Sequence, residues 1–241
     1  AGKAIKFKNA FSSLDINSSA VFWPSEQGWA MEAWLRPDNA TQAYYLYDHF
    51  KDNAGLRVYF DGVNYNLQSG NEVVSIKPTG LLKSNEFTHI AVSLNTVTRQ
   101  VQWVVNDSVF AVQQLNNAFV RNTDLSLPLV VGNSRTKNVG FQGVIDEVRV
   151  WTKARTAKEM VRDHSRYLVG TEAGLTAYWK ADEGFGSAIF DGSKFDKKYN
   201  ENHAKLNGSF EWTNIIPTEN QLANVAYTDA KGDYKMTGIQ F

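Results

Sequence analysis

Short alternating runs dominate this chain. WAMEAWLRP (29–37), GLRVYF (55–60), FTHIAVSL (87–94), VQWVVN (101–106) and GVIDEVRVW (143–151) are rich in Val, Ile, Tyr, Phe and Trp, and Gly, Asn, Asp and Pro punctuate the intervals between them. Such runs read as β-strands bounded by turns. With AIKF, QAYYLYDHF, NEVVSI, SVFAVQQL, LPLVVGN and LTAYWKA, about ten or more strands are expected, and that many imply sheets packed face to face or a closed barrel.

One stretch follows a different period. In TAKEMVRDHSRYLVG, Thr156 and Glu159 have the spacing of a capping box, and Met160, Val161, His164 and Leu168 fall near one face. A helix over 156–169 is predicted, with Gly170 placed to stop it. Residues 184–209 are polar and irregular, a length of loop that is functional or tied down. Beyond Pro217 the texture changes, and TDAKGD sits between two alternating runs like the turn of a hairpin.

Composition narrows the classes. Among 241 residues there are 25 acids and 25 bases, so no basic field draws nucleic acid or an anionic membrane. No apolar run is long enough for a membrane-spanning helix. The absence of cysteine removes disulfides, thiolate metal sites and cysteine catalysis. The four histidines, 49, 89, 164 and 203, are scattered, and no H-E-x-x-H, Walker A or G-x-S-x-G motif occurs.

Two features carry candidate chemistry. The first is the adjacent acid pair Asp146–Glu147 within GVIDEVRVW. Strand alternation assigns neighbours to opposite faces, which separates the two carboxyls and denies them a shared glycosidic bond. On that reading Asp146 shares a face with Val148 and Val150 as a metal ligand or turn acceptor, and Glu147 pairs with Arg149 or across the sheet. The second is aromatic density. A sugar site needs ring platforms with polar partners, and TQAYYLYDHFKDN followed by VYFDGVNYN offers both. Alternation places Tyr45, Tyr47 and His49 on one face, and Tyr59, Asp61, Asn64 and Tyr65 follow in the next strand and turn. Trp103 is a further candidate, projecting outward.

WAMEAWLRP, FTHIAVSLNTVTRQVQWVVND, LVVGN, FQGVIDEVRVWTKARTAKEM and LTAYWKADEGFG occur in an order that resembles the LamG-like (laminin G type 3), concanavalin A-like lectin/glucanase domain of bacterial extracellular multidomain proteins. The resemblance implies an all-β fold: a two-sheet antiparallel jelly-roll sandwich over 1–217 with one short helix. Residues 218–241 would then be a linker or the start of a following small β-module, making the chain an excerpt of a longer one. Glucanases of this fold carry E-x-D-x-x-E on one strand; no such strand is found here, and a non-enzyme is expected. The resemblance also implies a structural calcium ion where the first turn meets the late I-D strand, held by Asp146 and Asn9. The implied function is a recognition or adhesion module of a secreted or cell-surface bacterial protein, binding carbohydrate or a surface protein. The alternatives are a structural spacer without a ligand and, behind it, a glycoside hydrolase.

Overall fold

The computed structural model describes residues 2–17, 22–124, 126–194, 202–217, 226–228 and 234–236. Its strands are β1 (Ala4–Phe7), β2 (Ser13–Ile16), β3 (Trp29–Pro37), β4 (Tyr44–Lys51), β5 (Ala54–Phe60), β6 (Tyr65–Ser69), β7 (Glu72–Ile76), β8 (Thr88–Asn95), β9 (Gln100–Val105), β10 (Ser108–Val109) and β11 (Gln113–Gln114). They continue as β12 (Leu129–Val131), β13 (Gly143–Trp151), β14 (Leu175–Trp179), β15 (Ala188–Ile189), β16 (Ala204–Asn207), β17 (Phe210–Thr213), β18 (Ala226–Thr228) and β19 (Tyr234–Met236). A single helix among the described residues, α1 (Ala157–Asp163), follows β13.

Two antiparallel sheets enclose the core. The first runs β10-β9-β8-β3-β13-β1-β17, with β11 beside β9 and β14 beside β13; the second runs β15-β16-β2-β12-β4-β5-β6-β7. Apolar positions of period two meet between them, among them Ile5, Met31, Leu35, Val58, Leu67, Val92, Trp103, Val131, Ile145 and Trp179. Of the packed sheets and the closed barrel that the strand pattern allows, this is the first, and it is the sandwich that the family resemblance implies.

Within the irregular stretch 184–209, the described residues 184–194 and 202–209 include paired strands. Its ends supply β15 and β16, and β16 pairs with β2 from Ala204↔Ile16 to Asn207↔Ser13. The apolar residues Ile189, Ala204 and Leu206 pin it to the core. The hairpin expected around TDAKGD is present as β18 paired with β19, from Ala226↔Met236 to Thr228↔Tyr234. The remainder of 218–241 lies outside the described residues.

The helix begins where predicted and ends early. Thr156 accepts from the Glu159 N–H while the Glu159 carboxylate accepts from the Thr156 N–H, a complete capping box. Its end is set from the sheet beneath. The Arg149 guanidinium donates to the carbonyls of Asp163 (2.8 Å) and Arg166 (2.7 Å), and the Trp34 indole donates to the carbonyl of His164 (2.9 Å). Carbonyls that would seek N–H groups one turn on are thus satisfied by side chains. The helix lies on the outer face of the first sheet, where Met160 packs with Ala91 and Val104.

Candidate functional site

Two β-bulges decide which side chains face outward. In β4 the pairing with β5 passes from Tyr45↔Tyr59 to Tyr47↔Val58, leaving Leu46 as the extra residue. A bulge of this kind moves every later side chain to the other face. Tyr44 and Leu46 face the core, and so do Tyr47 and His49 after the slip, while Tyr45, Asp48 and Phe50 face outward. The single face expected for Tyr45, Tyr47 and His49 is therefore split. The Tyr47 hydroxyl donates to the Phe22 carbonyl at 2.7 Å, and its ring meets Trp29 edge-on. His49 stacks on Trp23 with ring centroids 3.6 Å apart and lies 3.0 Å from the Leu127 carbonyl; burial lowers its pKa to about 4.

Two more candidates lie in the core. The Tyr65 hydroxyl bonds that of Tyr44 at 2.6 Å, and Trp103 has no exposed surface. Trp103 pairs with Val92 and shares the inward face of β9 with Val101 and Val105, so it does not project outward. Asp61 and Asn64 form the β5–β6 turn. One Asp61 oxygen accepts from the N–H groups of Val63 (2.9 Å) and Asn64 (2.7 Å), and the other accepts from the Asn64 and Asn66 amides.

Tyr45 and Tyr59 are brought together on the outer face. Their rings stack with centroids 5.2 Å apart at 26°. Arg57 lies 4.4 Å from the Phe50 ring centre and 5.6 and 5.8 Å from those of Tyr45 and Tyr59, and its Nε donates to Gln68 at 2.8 Å. A cation held over ring faces in this way is itself ordered. Register aligns Asp48 with Arg57 across β4 and β5, and with Val130 of β12 on its other side. Beyond β12 the turn at Ser134–Lys137 folds back, and the Arg135 N–H donates to Asp48 Oδ2 at 2.9 Å.

These groups surround a depression of ≈ 550 Å³ walled by Tyr45, Asp48, Phe50, Arg57, Arg135 and Thr136. Asp48 is 4% exposed. Burial raises its pKa, opposed by the Arg135 N–H and by the charges of Arg57 and Arg135. Its Oδ1 and the Nη1 of Arg135 have no hydrogen-bond partner. Asp48, Phe50, Arg57 and Arg135 were not singled out from the sequence. Alternation alone places Asp48 on the face opposite Tyr47, YDHFKD sets it near Asp52 as an acidic cluster, and nothing in NSRTK signals that its backbone reaches back to β4.

The second bulge lies in β13, where pairing with β3 slips between Asp146↔Trp34 and Arg149↔Glu32 and Glu147 takes φ +51°. Ile145 and Val148 both point into the core, so Asp146 and Glu147 leave on the same outer side. The expected separation of the two acids does not occur, and Asp146 does not share the face of Val148 and Val150. The Glu147–Arg149 pair does form, at 2.7 Å, and the Tyr178 hydroxyl also donates to Glu147. Asp146 and Glu147 are 4% and 1% exposed. Burial, reinforced by the neighbouring charges of Glu147 and Asp182, holds Asp146 well above the ordinary carboxylate range. The acids are components of a sealed polar layer that also contains Glu32, His89, Arg155 and Asp163.

The calcium pairing does not fit this geometry. Register places Lys6 opposite Val144 and Phe7 opposite Gly143, so Asp146 lies at the Ala4 end of β1 while Asn9 lies beyond its other end. Asn9 is five residue steps along the chain from Ala4, roughly 16 Å at the rise of extended backbone. Asn9 Oδ1 already accepts from the Phe11 N–H (3.0 Å) and the Ser12 hydroxyl (3.1 Å). Among the described residues no group of three or more His, Asp or Glu is arranged to hold a metal ion.

Two antiparallel sheets packed face to face, with a single helix among the described residues, are the architecture of the concanavalin A-like class of β-sandwich. The chain belongs to the concanavalin A-like lectin/glucanases superfamily, whose Laminin_G_3 family model matches residues 9–160. Among solved structures, it is similar to one described as "a putative carbohydrate binding protein" from Bacteroides ovatus, with a TM-score of 0.67 and 19% identity over 88% of this chain. The match spans 59% of that protein. It is also similar to the CBM40 module of a Ruminococcus gnavus IT-sialidase, with a TM-score of 0.50 and 11% identity over 66% of this chain and 95% of that one. The same module bound to α2,6-sialyllactose matches at 10% identity with a TM-score of 0.50. Identities this low establish the shared fold. No curated protein matches the chain in sequence. No helix among the described residues is long and apolar enough to cross a membrane.

Proposed function

We propose that the chain is a non-catalytic carbohydrate-binding module of a secreted or cell-surface bacterial protein, and that it holds its glycan on the outer face of β4 and β5. The observation that carries this reading is the stacked Tyr45–Tyr59 pair beside a depression walled by Arg57, Asp48 and Arg135. Flat rings offer the apolar face of a sugar a preordered platform, and the charged groups alongside supply hydrogen bonds that fix its orientation. The fold supports the reading, since it is shared with a sialidase CBM40 bound to sialyllactose. Residues 1–217 form the module on this view, and 218–241 lead into a neighbouring unit of a longer chain.

The sealed state of Asp146 and Glu147 favours binding without turnover. General acid catalysis requires a carboxyl within hydrogen-bond reach of the substrate, and both acids are covered. The pure protein is expected to bind glycans on an array and to release no sugar from them. Tyr45→Ala and Tyr59→Ala should each weaken binding at least about tenfold, a loss of ~1.4 kcal/mol, while the melting temperature falls by only a few degrees from the lost ring pair. A blank array from folded protein would instead make the domain a spacer.

A further inference from the structure

Resting on the carbohydrate reading, we infer that the depression beside Tyr45 selects a neutral, hydroxyl-rich sugar over an acidic one. Two unpaired atoms set the demand. Asp48 Oδ1 needs a donor, and Arg135 Nη1 needs an acceptor; both are buried and neither has a partner. Leaving such groups unmet is unfavourable, because each has given up its hydrogen bonds to water and gained none in return. A hydroxyl both donates and accepts, so one hydroxyl or a neighbouring pair answers both demands. A carboxylate or sulfate answers only the arginine and sets a second negative charge against Asp48.

The remaining charges do not favour an anion. Asp48 and Asp52 balance Arg57 and Arg135 around the depression. Lys51, the other cation of the wall, is tied to Asp124 at 2.9 Å. Arg57 is covered by the rings of Phe50, Tyr45 and Tyr59 and donates to Gln68, so it has less to offer an incoming acid than an open guanidinium. Oδ1 and Nη1 are closed to solvent, so a sugar reaches them only if the Arg135 side chain turns outward from the wall. The backbone bond from Arg135 to Asp48 Oδ2 keeps the turn in place during that movement.

The test is a panel of neutral and acidic glycans offered to wild type and to Asp48→Asn, with melting curves run alongside. The asparagine retains an oxygen for the Arg135 N–H. Wild type is expected to bind neutral glycans, and Asp48→Asn to lose at least about tenfold in affinity for them while gaining affinity for acidic ones. That opposite movement is one a general structural defect would not produce. Wild-type binding confined to acidic glycans, or an equal loss of both classes in the variant, overturns the selectivity and leaves the carbohydrate reading standing. No binding of any glycan by folded wild type overturns both. If the variant does not fold, the wild-type preference between the two classes decides the question.

Discussion

Glu32→Ala is expected to cost about 3–5 kcal/mol of folding free energy, because it leaves buried cations without their counter-charge. Glu32 is 1% exposed and sits at the centre of the polar layer under α1. Its Oε1 accepts from Arg155 at 2.7 Å and from the Trp151 indole at 3.1 Å, with Arg149 at 3.7 Å. Its Oε2 lies 3.5 Å from His89. Burial alone would raise its pKa, but the close approach of His89 and the charges of the two guanidiniums outweigh burial and bring it down to about 2. Removing the carboxylate leaves Arg149 and Arg155 in a low-dielectric layer with only Glu147 and Asp163 to answer them.

For a domain of this size the loss corresponds to a fall in melting temperature on the order of 10 °C, readable by calorimetry at pH 7. The sign of the pH dependence follows from the depressed pKa. The stability that Glu32 contributes is complete above its unfolded pKa near 4.5 and is lost as pH falls toward 2. The gap between wild type and variant should therefore narrow as pH falls below 4.5. A variant that melts with wild type at pH 7 would mean that this layer does not hold α1 to the sheet.

The second large effect concerns Gly143, the first residue of β13. Its φ is +137°, and a Cβ there would stand 2.2 Å from the Arg36 carbonyl oxygen and 2.9 Å from the Pro37 Cα. Both obstacles are backbone of the paired strand β3, so no rotamer change relieves them. Gly143→Ala is expected to lose about 2–6 kcal/mol, combining backbone strain with overpacking. In urea the midpoint should fall while the slope stays constant. Gly186→Ala is the control. Its φ of +75° is also positive, but nothing lies within 4 Å of the added Cβ, so only the cost of the left-handed backbone, about 1 kcal/mol, applies. Equal losses in the two variants would contradict the close approach of β3 at Gly143.

The fold was legible because strand alternation and turn residues are local signals. They specified β3, β5, β8, β9 and β13, and the Thr156–Glu159 box fixed the start of α1. Its end was not legible, since the donors to its last carbonyls come from Arg149 and Trp34 on other strands. The site was only partly legible, and for one repeated reason. A one-residue bulge is invisible in a period-two pattern, yet it reverses every inference made past it. At Leu46 it sent Tyr47 and His49 into the core and Asp48 and Phe50 out of it. At Glu147 it joined two acids that alternation separates. Tyr45 lies before the first bulge and Tyr59 on the strand that follows, and their pairing was set by cross-strand register rather than by any local signal. Arg57 and Arg135 became part of the site only through cross-strand register and a turn that folds back on β4.

The central claim is that a sugar occupies the outer face of β4 and β5. Its most direct test is a crystal structure of the protein with the best-bound glycan of an array. The account predicts a sugar ring lying against Tyr45, between Arg57 and the Ser134–Lys137 turn. A glycan bound elsewhere on the sandwich, with Tyr45 and Arg135 untouched, would contradict it.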